Sequence, residues 1–250
     1  MRPPPCYSSR VRGAVVGPRA ARRSGVPRMQ QDQAAFFRVL YTTRALRRLK
    51  PDPVPEELLF QLVDAAIRAP SGQNAQDWRF VVVTDPAIRQ HMQAAASRAW
   101  ARYQPKFAAD PALMDDLPRT KRLSLKATAH LAQHVGEAPA VIVACGEKAR
   151  HSSPGGSVFP AVQNLLLAAR ALGLGASIFQ LALSADVIAA IGIPEEYQAY
   201  CVIPVGYPVD RHGPVRRRPV RQVAFKDRWE NRWPFAEDQP DGLQDRWAPS

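Results

Sequence analysis

Long apolar runs are missing from this chain. No stretch approaches the ~18–20 residues of a membrane span, so no helical span is expected. Cysteine is scarce. The three residues, Cys6, Cys145 and Cys201, show no C-x-x-C spacing, which excludes a disulfide scaffold. Cys145 and Cys201 sit in apolar stretches and read as small buried hydrophobes. Histidine is scarce too. Of the five, only His130 and His134 share a chelating i, i+4 spacing, and the residues between them lack the Glu of a zincin helix. An ordinary helix surface, without metal, is the expectation there. No G-x-S-x-G elbow and no P-loop is present, and Gly173-Leu174-Gly175 lacks the third glycine of a dinucleotide fingerprint.

Acid is absent from the first 28 residues, which hold seven arginines. The net charge is +12, so residues 29–250 carry only +5. The basic pI therefore belongs mainly to one segment, and a nucleic-acid partner loses most of its support. Residues 1–28 are rich in Pro, Gly, Ala and Arg and show no apolar period, so ordering them would not be offset by burial. They read as a disordered extension, a false start ahead of Met29, or a transit peptide. No apolar run follows the arginines, so they are not a secretory signal, and a cytoplasmic location is expected.

What remains is ordinary for a globular protein. Hydrophobic residues make up 46% of the 250 and charged residues 22%, enough to build a core without staples. Helices are expected over residues 31–41, 55–68, 86–103, 119–136, 158–172 and 184–191, the last two capped by Ser157 and Ser184. Strands are expected at 78–84, 140–145 and 200–205, with 176–181 extended. Residues 104–118 carry three prolines and read as a flexible lid. No internal repeat or composition break interrupts residues 31–230, which predicts one α+β domain over 29–235 and a loose tail over 236–250.

Three sites rise above this background. Arg44, Arg47 and Arg48 could pair bidentately with phosphate oxygens, or form a solvated basic face. The loop Pro70-Ser71-Gly72-Gln73-Asn74-Ala75-Gln76 gathers amides that donate and accept at once, which suits the pyrimidine edge of a flavin. Arg216, Arg217 and Arg218 form a late cluster that could close on the same phosphate as the early one.

Together these residues resemble the FMN-dependent nitroreductase family. The resemblance covers about residues 35–229. It rests on T-R-A-L-R-R-L-K-P-D-P-V-P, on A-P-S-G-Q-N-A-Q-D-W-R-F, on the apolar helix ending A-L-G-L-G, and on I-P-V-G-Y-P and R-R-R-P. It implies a central, mainly antiparallel sheet flanked by helices, in an intertwined homodimer. FMN would lie at the subunit interface with residues from both chains. Arg44, with Arg47 or Arg48, and Arg216 to Arg218 would hold its phosphate. Pro70, Ser71, Gly72, Gln73 and Asn74 would meet its ring. Ser177, Ile178 and Phe179 would pass close by with backbone donors. Residues 104–126 would cover the substrate face, with Lys121, Arg122 and Lys126 as candidate cations near the flavin. Two departures stand out: Ala45 replaces a frequent Ser, and Asp77 a frequent Pro.

The activity so implied is ping-pong reduction, with NADH or NADPH as donor and a nitroaromatic, quinone or enone as acceptor. No side chain need act as acid or base. Relatives of the same fold dehalogenate iodotyrosines or fragment flavin, and Tyr103 and Lys106 could clamp an amino-acid substrate. A non-catalytic flavin or nucleic-acid binding module is the rival from another class.

Overall fold

The computed structural model describes residues 28–148, 155–215 and 217–237. The expectations for residues 1–27, for Arg216 and for the tail beyond 237 lie outside these.

Four strands form one antiparallel sheet in the order β1–β2–β4–β3. They are β1 (Trp78–Val83), β2 (Ala140–Glu147), β3 (Gly175–Ala176) and β4 (Tyr197–Gly206). The two central strands, β2 and β4, are the apolar runs seen in the sequence, as strands covered on both faces must be. Ile142 of β2 stands opposite Val82 on one side and Ile203 on the other. A register shift at Ala144/Cys145 kinks the β2–β4 pairing.

The period-2 alternation divides the core into two layers. Ala140, Ile142, Ala144, Cys201 and Ile203 face α2 (Glu56–Ala66) and α6 (Val158–Ala171). Val141, Val143, Cys145 and Val202 face α3 (Pro86–Tyr103) and α5 (Arg119–His134). Cys145 and Cys201 therefore point to opposite faces and cannot bridge. Burial pushes both thiols up, to about 11 and about 12.

Helix starts follow local chemistry with exceptions. Asp85 caps α3, accepting from the Ala87 and Ile88 amides at 2.7 and 3.4 Å, with Pro86 in the first turn. Ser157 and Ser184 make no capping bond. The Ser157 hydroxyl instead accepts from Gly72 N at 3.4 Å, tying α6 to the 70–76 loop. Gly173, at φ 75°, ends α6, and Leu174 N closes back on Ala169 O at 2.8 Å. The expected lid is not structureless. It forms α4 (Pro105–Ala109) and a 3₁₀ turn, Pro111–Met114, because Met114 is buried in the α3/α5 layer.

The segment after α1 (Arg28–Thr42) matters most for the site. Residues 43–50 run as a strap along the sheet edge. Leu46 N donates to Ala176 O at 3.3 Å, Lys50 N to Tyr207 O at 2.7 Å, and Val209 N to Arg48 O at 3.1 Å. Two glycines paired across β3 and β4 make room for it. A Cβ on Gly175 would stand 2.8 Å from Leu49 Cδ2, and one on Gly206 would stand 3.2 Å from Leu49 Cβ and 2.9 Å from Pro139 Cδ.

Candidate active site

The strap, α1, α6, the end of β3 and the chain after β4 enclose a cavity of about 720 Å³. Arg44 enters from the strap, and Ser177 from the segment following β3. Arg217, Arg218 and Arg221 line the wall after β4. The last segment is held in place by Val215 N, which donates to Tyr41 O at 3.2 Å. Among the described lining residues there is no carboxylate. Phe37, Tyr41, Trp233 and Phe235 supply aromatic surface. A cavity with several guanidiniums, aromatic walls and no acid is suited to a planar anion carrying phosphate.

Four expected residues thus converge: Arg44, Ser177, Arg217 and Arg218. Ser177 is 1% exposed, and among the described residues its buried hydroxyl has no hydrogen-bond partner. A buried hydroxyl left unmatched on a cavity wall is open to a bound polar atom. Ala45 lines the same cavity and offers it no hydroxyl.

Other expected residues lie elsewhere in the single chain. Arg47 faces a separate small cleft with His130, His134 and Glu137, where burial and then Arg44 lower its pKa. Arg48 is exposed. Phe179 is buried at 6%, and its N–H donates to Val202 O at 2.9 Å, so it is not a backbone donor for a ligand. Ile178 is 41% exposed and does not line the cavity. His130 and His134 stack with ring centroids 4.4 Å apart, and His134 Nδ1 lies 2.8 Å from Glu137 Oε1. Among the described residues no group of three or more His, Cys, Asp or Glu is placed to hold a metal ion.

The 70–76 loop is also away from the cavity. Pro70, Gly72, Gln73 and Asn74 are exposed, and Ser71 is half-buried. Ser71 Oγ accepts from Gln76 N at 3.1 Å, and Gln76 Nε2 donates to Asn74 Oδ1 at 3.1 Å. Gln73, Asn74 and Gln76 all take left-handed backbone, with φ of 52°, 55° and 48°. Such strain on three residues without Cβ relief is characteristic of functional loops. Among the described residues, nothing beyond its own chain neighbours lies within 4 Å of where a Cβ on Gly72 would stand. Asp77 is buried beneath the loop at 3% exposure.

The lid residues are partly committed. Lys126 Nζ pairs with Asp115 Oδ1 at 2.5 Å, and Arg122 donates to Asp115 O at 2.9 Å, so both brace residues 104–118. Tyr103 is 68% exposed. Sequence reasoning missed His212, Arg221, Trp233 and Phe235 as cavity residues. Nothing local marks them; the fold-back of residues 212–236 over α1 brings them in.

Comparison with known proteins agrees with this architecture. The model of the nitroreductase family matches residues 40–207. NADH dehydrogenase of Thermus thermophilus is 33% identical over 197 residues, 73% of this chain and 91% of that protein. Iodotyrosine deiodinase of Thermotoga neapolitana is 30% identical over 183 residues, 73% of this chain and 92% of that one. The crystal structure of an oxidized iodotyrosine deiodinase bound to FMN and 3-iodo-L-tyrosine superposes with a TM-score of 0.60 at 27% identity, over 73% of this chain and 94% of that one. Among the described residues no helix is long and apolar enough to cross a membrane. The antiparallel sheet, the strap that carries Arg44 and the matched span of sequence lead to one conclusion: this chain belongs to the nitroreductase family.

Proposed function

We propose that the protein is an FMN-dependent reductase that takes electrons from NADH or NADPH and delivers them to an electron-poor small molecule, a nitroaromatic, quinone or enone. The observation that carries this reading is the convergence of Arg44 with Arg217 and Arg218 on one cavity whose described lining includes no carboxylate. The donor set fits FMN. Planar guanidiniums match a phosphate dianion, and the unmatched Ser177 hydroxyl offers a hydrogen bond to the rest of the molecule. When bound, FMN supplies the two-electron relay between nicotinamide and acceptor.

The chain's own residues hold and orient. Arg44, Arg217 and Arg218 neutralise the phosphate, and Phe37, Tyr41, Trp233 and Phe235 keep water from that end of the site. The 70–76 loop reaches the ring from a second copy of the chain. Two features support this arrangement. The loop is strained and exposed, and α6 with the two helices packed on it, α1 and α2, exposes Phe36, Phe60 and Phe159. Gln73 and Asn74 then present amides to the pyrimidine edge. No proton donor is required of the protein.

The test is the visible spectrum of the purified chain. Yellow protein that releases stoichiometric FMN on heating and bleaches with NADPH without air is expected. Colourless protein that FMN cannot reconstitute would overturn the reading. The likeness to iodotyrosine deiodinases supports a second reading, reductive dehalogenation. Iodide release from 3-iodotyrosine by the reduced protein distinguishes it.

A further inference from the structure

The cavity wall holds an imidazole that phosphate capture by arginine does not use. His212 lines it, and its Nε2 lies 2.9 Å from the Leu174 carbonyl oxygen. A carbonyl only accepts, so Nε2 carries the proton and Nδ1 of the neutral ring is a bare acceptor. Nδ1 is buried and, among the described residues, has no hydrogen-bond partner. The Thr42 carbonyl, in the last turn of α1, lies close enough to the ring to favour its charged form. Carbonyls at a helix C-terminus are unsatisfied and carry negative potential. A proton on Nδ1 would make the ring an imidazolium in the company of two carbonyls, Leu174 and Thr42.

The surrounding charge opposes that proton. Burial, and then the guanidiniums of Arg170 and Arg44, hold the imidazole below its ordinary value, while the Leu174 and Thr42 carbonyls pull it up. Arg170 comes from α6, where its Nε donates to Thr42 Oγ1 at 2.9 Å, and Arg38 of α1 lies behind it. Arg217, Arg218 and Arg221 stand on the same cavity. Among the described residues, the charged groups that line this cavity and those that act on His212 are all cations.

We propose that His212 is a proton-linked member of the anion site: an anion seated against Arg44, Arg217 and Arg218 draws a proton onto Nδ1, and the imidazolium so formed adds a further cation to the grip. The proton comes from solvent. Linkage fixes the sign: if the anion favours the charged ring, the charged ring favours the anion, so affinity rises as pH falls through the imidazole range. The inference rests on the flavin reading only in needing an anion in that cavity.

The probes are inorganic sulfate, which stays a dianion across that range, FMN, and riboflavin, which lacks the phosphate. Imidazole ¹H–¹⁵N spectra of the full chain, stripped of flavin, are followed against pH with each. His212 is identified by the resonance missing from H212Q or H212N. Sulfate and FMN are expected to raise its midpoint by about one unit, equivalent to about tenfold tighter anion binding at the acid limit. Riboflavin should leave it unmoved, and H212Q should bind sulfate with that pH dependence lost. Proton uptake on sulfate binding, measured calorimetrically in two buffers, tests the same point without a variant. An unmoved His212 with both anions and no proton uptake would overturn the proposal, as would wild-type pH dependence in H212Q. FMN failing to bind while sulfate still shifts His212 sinks the flavin reading alone. FMN binding with His212 unmoved sinks this one alone.

Discussion

Arg44 and Arg47 are three residues apart and chemically identical, yet they face different spaces. Between them Leu46 is buried and bonded to Ala176, and the strap turns about that anchor. Arg44 therefore reaches the large cavity and Arg47 the cleft beside His130. Removing the guanidiniums at both ends of the proposed phosphate grip, in R44A/R218A, is expected to weaken FMN binding at least about a hundredfold, each charge-assisted contact contributing about 1.5–3 kcal/mol. Flavin fluorescence titration measures it, and unchanged affinity would refute the assignment. Residue-level chemistry was legible where it depended on type: arginines gathered on one cavity, and cysteine as a core filler. It was not legible for His212, whose surroundings are carbonyls from Thr42 and Leu174, distant in the chain and invisible as side-chain types. The cysteines give a second expectation at this scale. Both thiols are pushed up in the folded chain, so their neutral form stabilises the fold below the ordinary thiol range. That contribution is lost as pH rises from about 9 toward the folded values near 11 and 12. Iodoacetamide at pH 8 should leave Cys145 and Cys201 untouched until denaturant is added; labelling of native protein at either would contradict their burial.

The elements of the sheet were readable because β-branched runs such as WRFVVV and AVIVAC do little else well. The helices were readable from apolar spacing. Connections were not, since their conformation depends on what they touch. Residues 104–118 looked like a lid by proline content, but Met114 finds a place in the core and folds them. Ser157 looked like a cap, but its hydroxyl serves Gly72. The strap depends on two glycines of the sheet edge. Gly206→Ala would press a methyl against Pro139 and Leu49, and should cost about 1–3 kcal/mol, seen as a lowered unfolding temperature. The 70–76 loop should behave in the opposite way. Gln73→Gly removes a left-handed backbone penalty of about 1–2 kcal/mol and is expected to stabilise the fold in urea denaturation. The same change removes an amide from the proposed ring contact, so FMN affinity should drop severalfold. A loop with no ligand role would show the gain without the loss.

At the scale of the whole molecule, the fold layers α2 and α6 on one face of the sheet and α3 and α5 on the other, and leaves large apolar side chains on α1, α2 and α6 uncovered. Phe60 is 72% exposed. A charged residue there, F60E, should convert the proposed dimer into monomers in sedimentation and strip its flavin. Wild-type monomers that retain FMN would refute the shared site. The separation of Arg44 from the 70–76 loop within one chain has a genetic consequence. In the proposed shared-site dimer, a chain defective in its arginines and a chain defective in its loop would each be inactive as homodimers. Co-expressed, they pair at random, and each mixed dimer assembles one site from its two intact halves and one from its two broken halves. About a quarter of all sites should then recover. Two dead alleles would make a working enzyme, so a loss-of-function screen that tests them together would score neither.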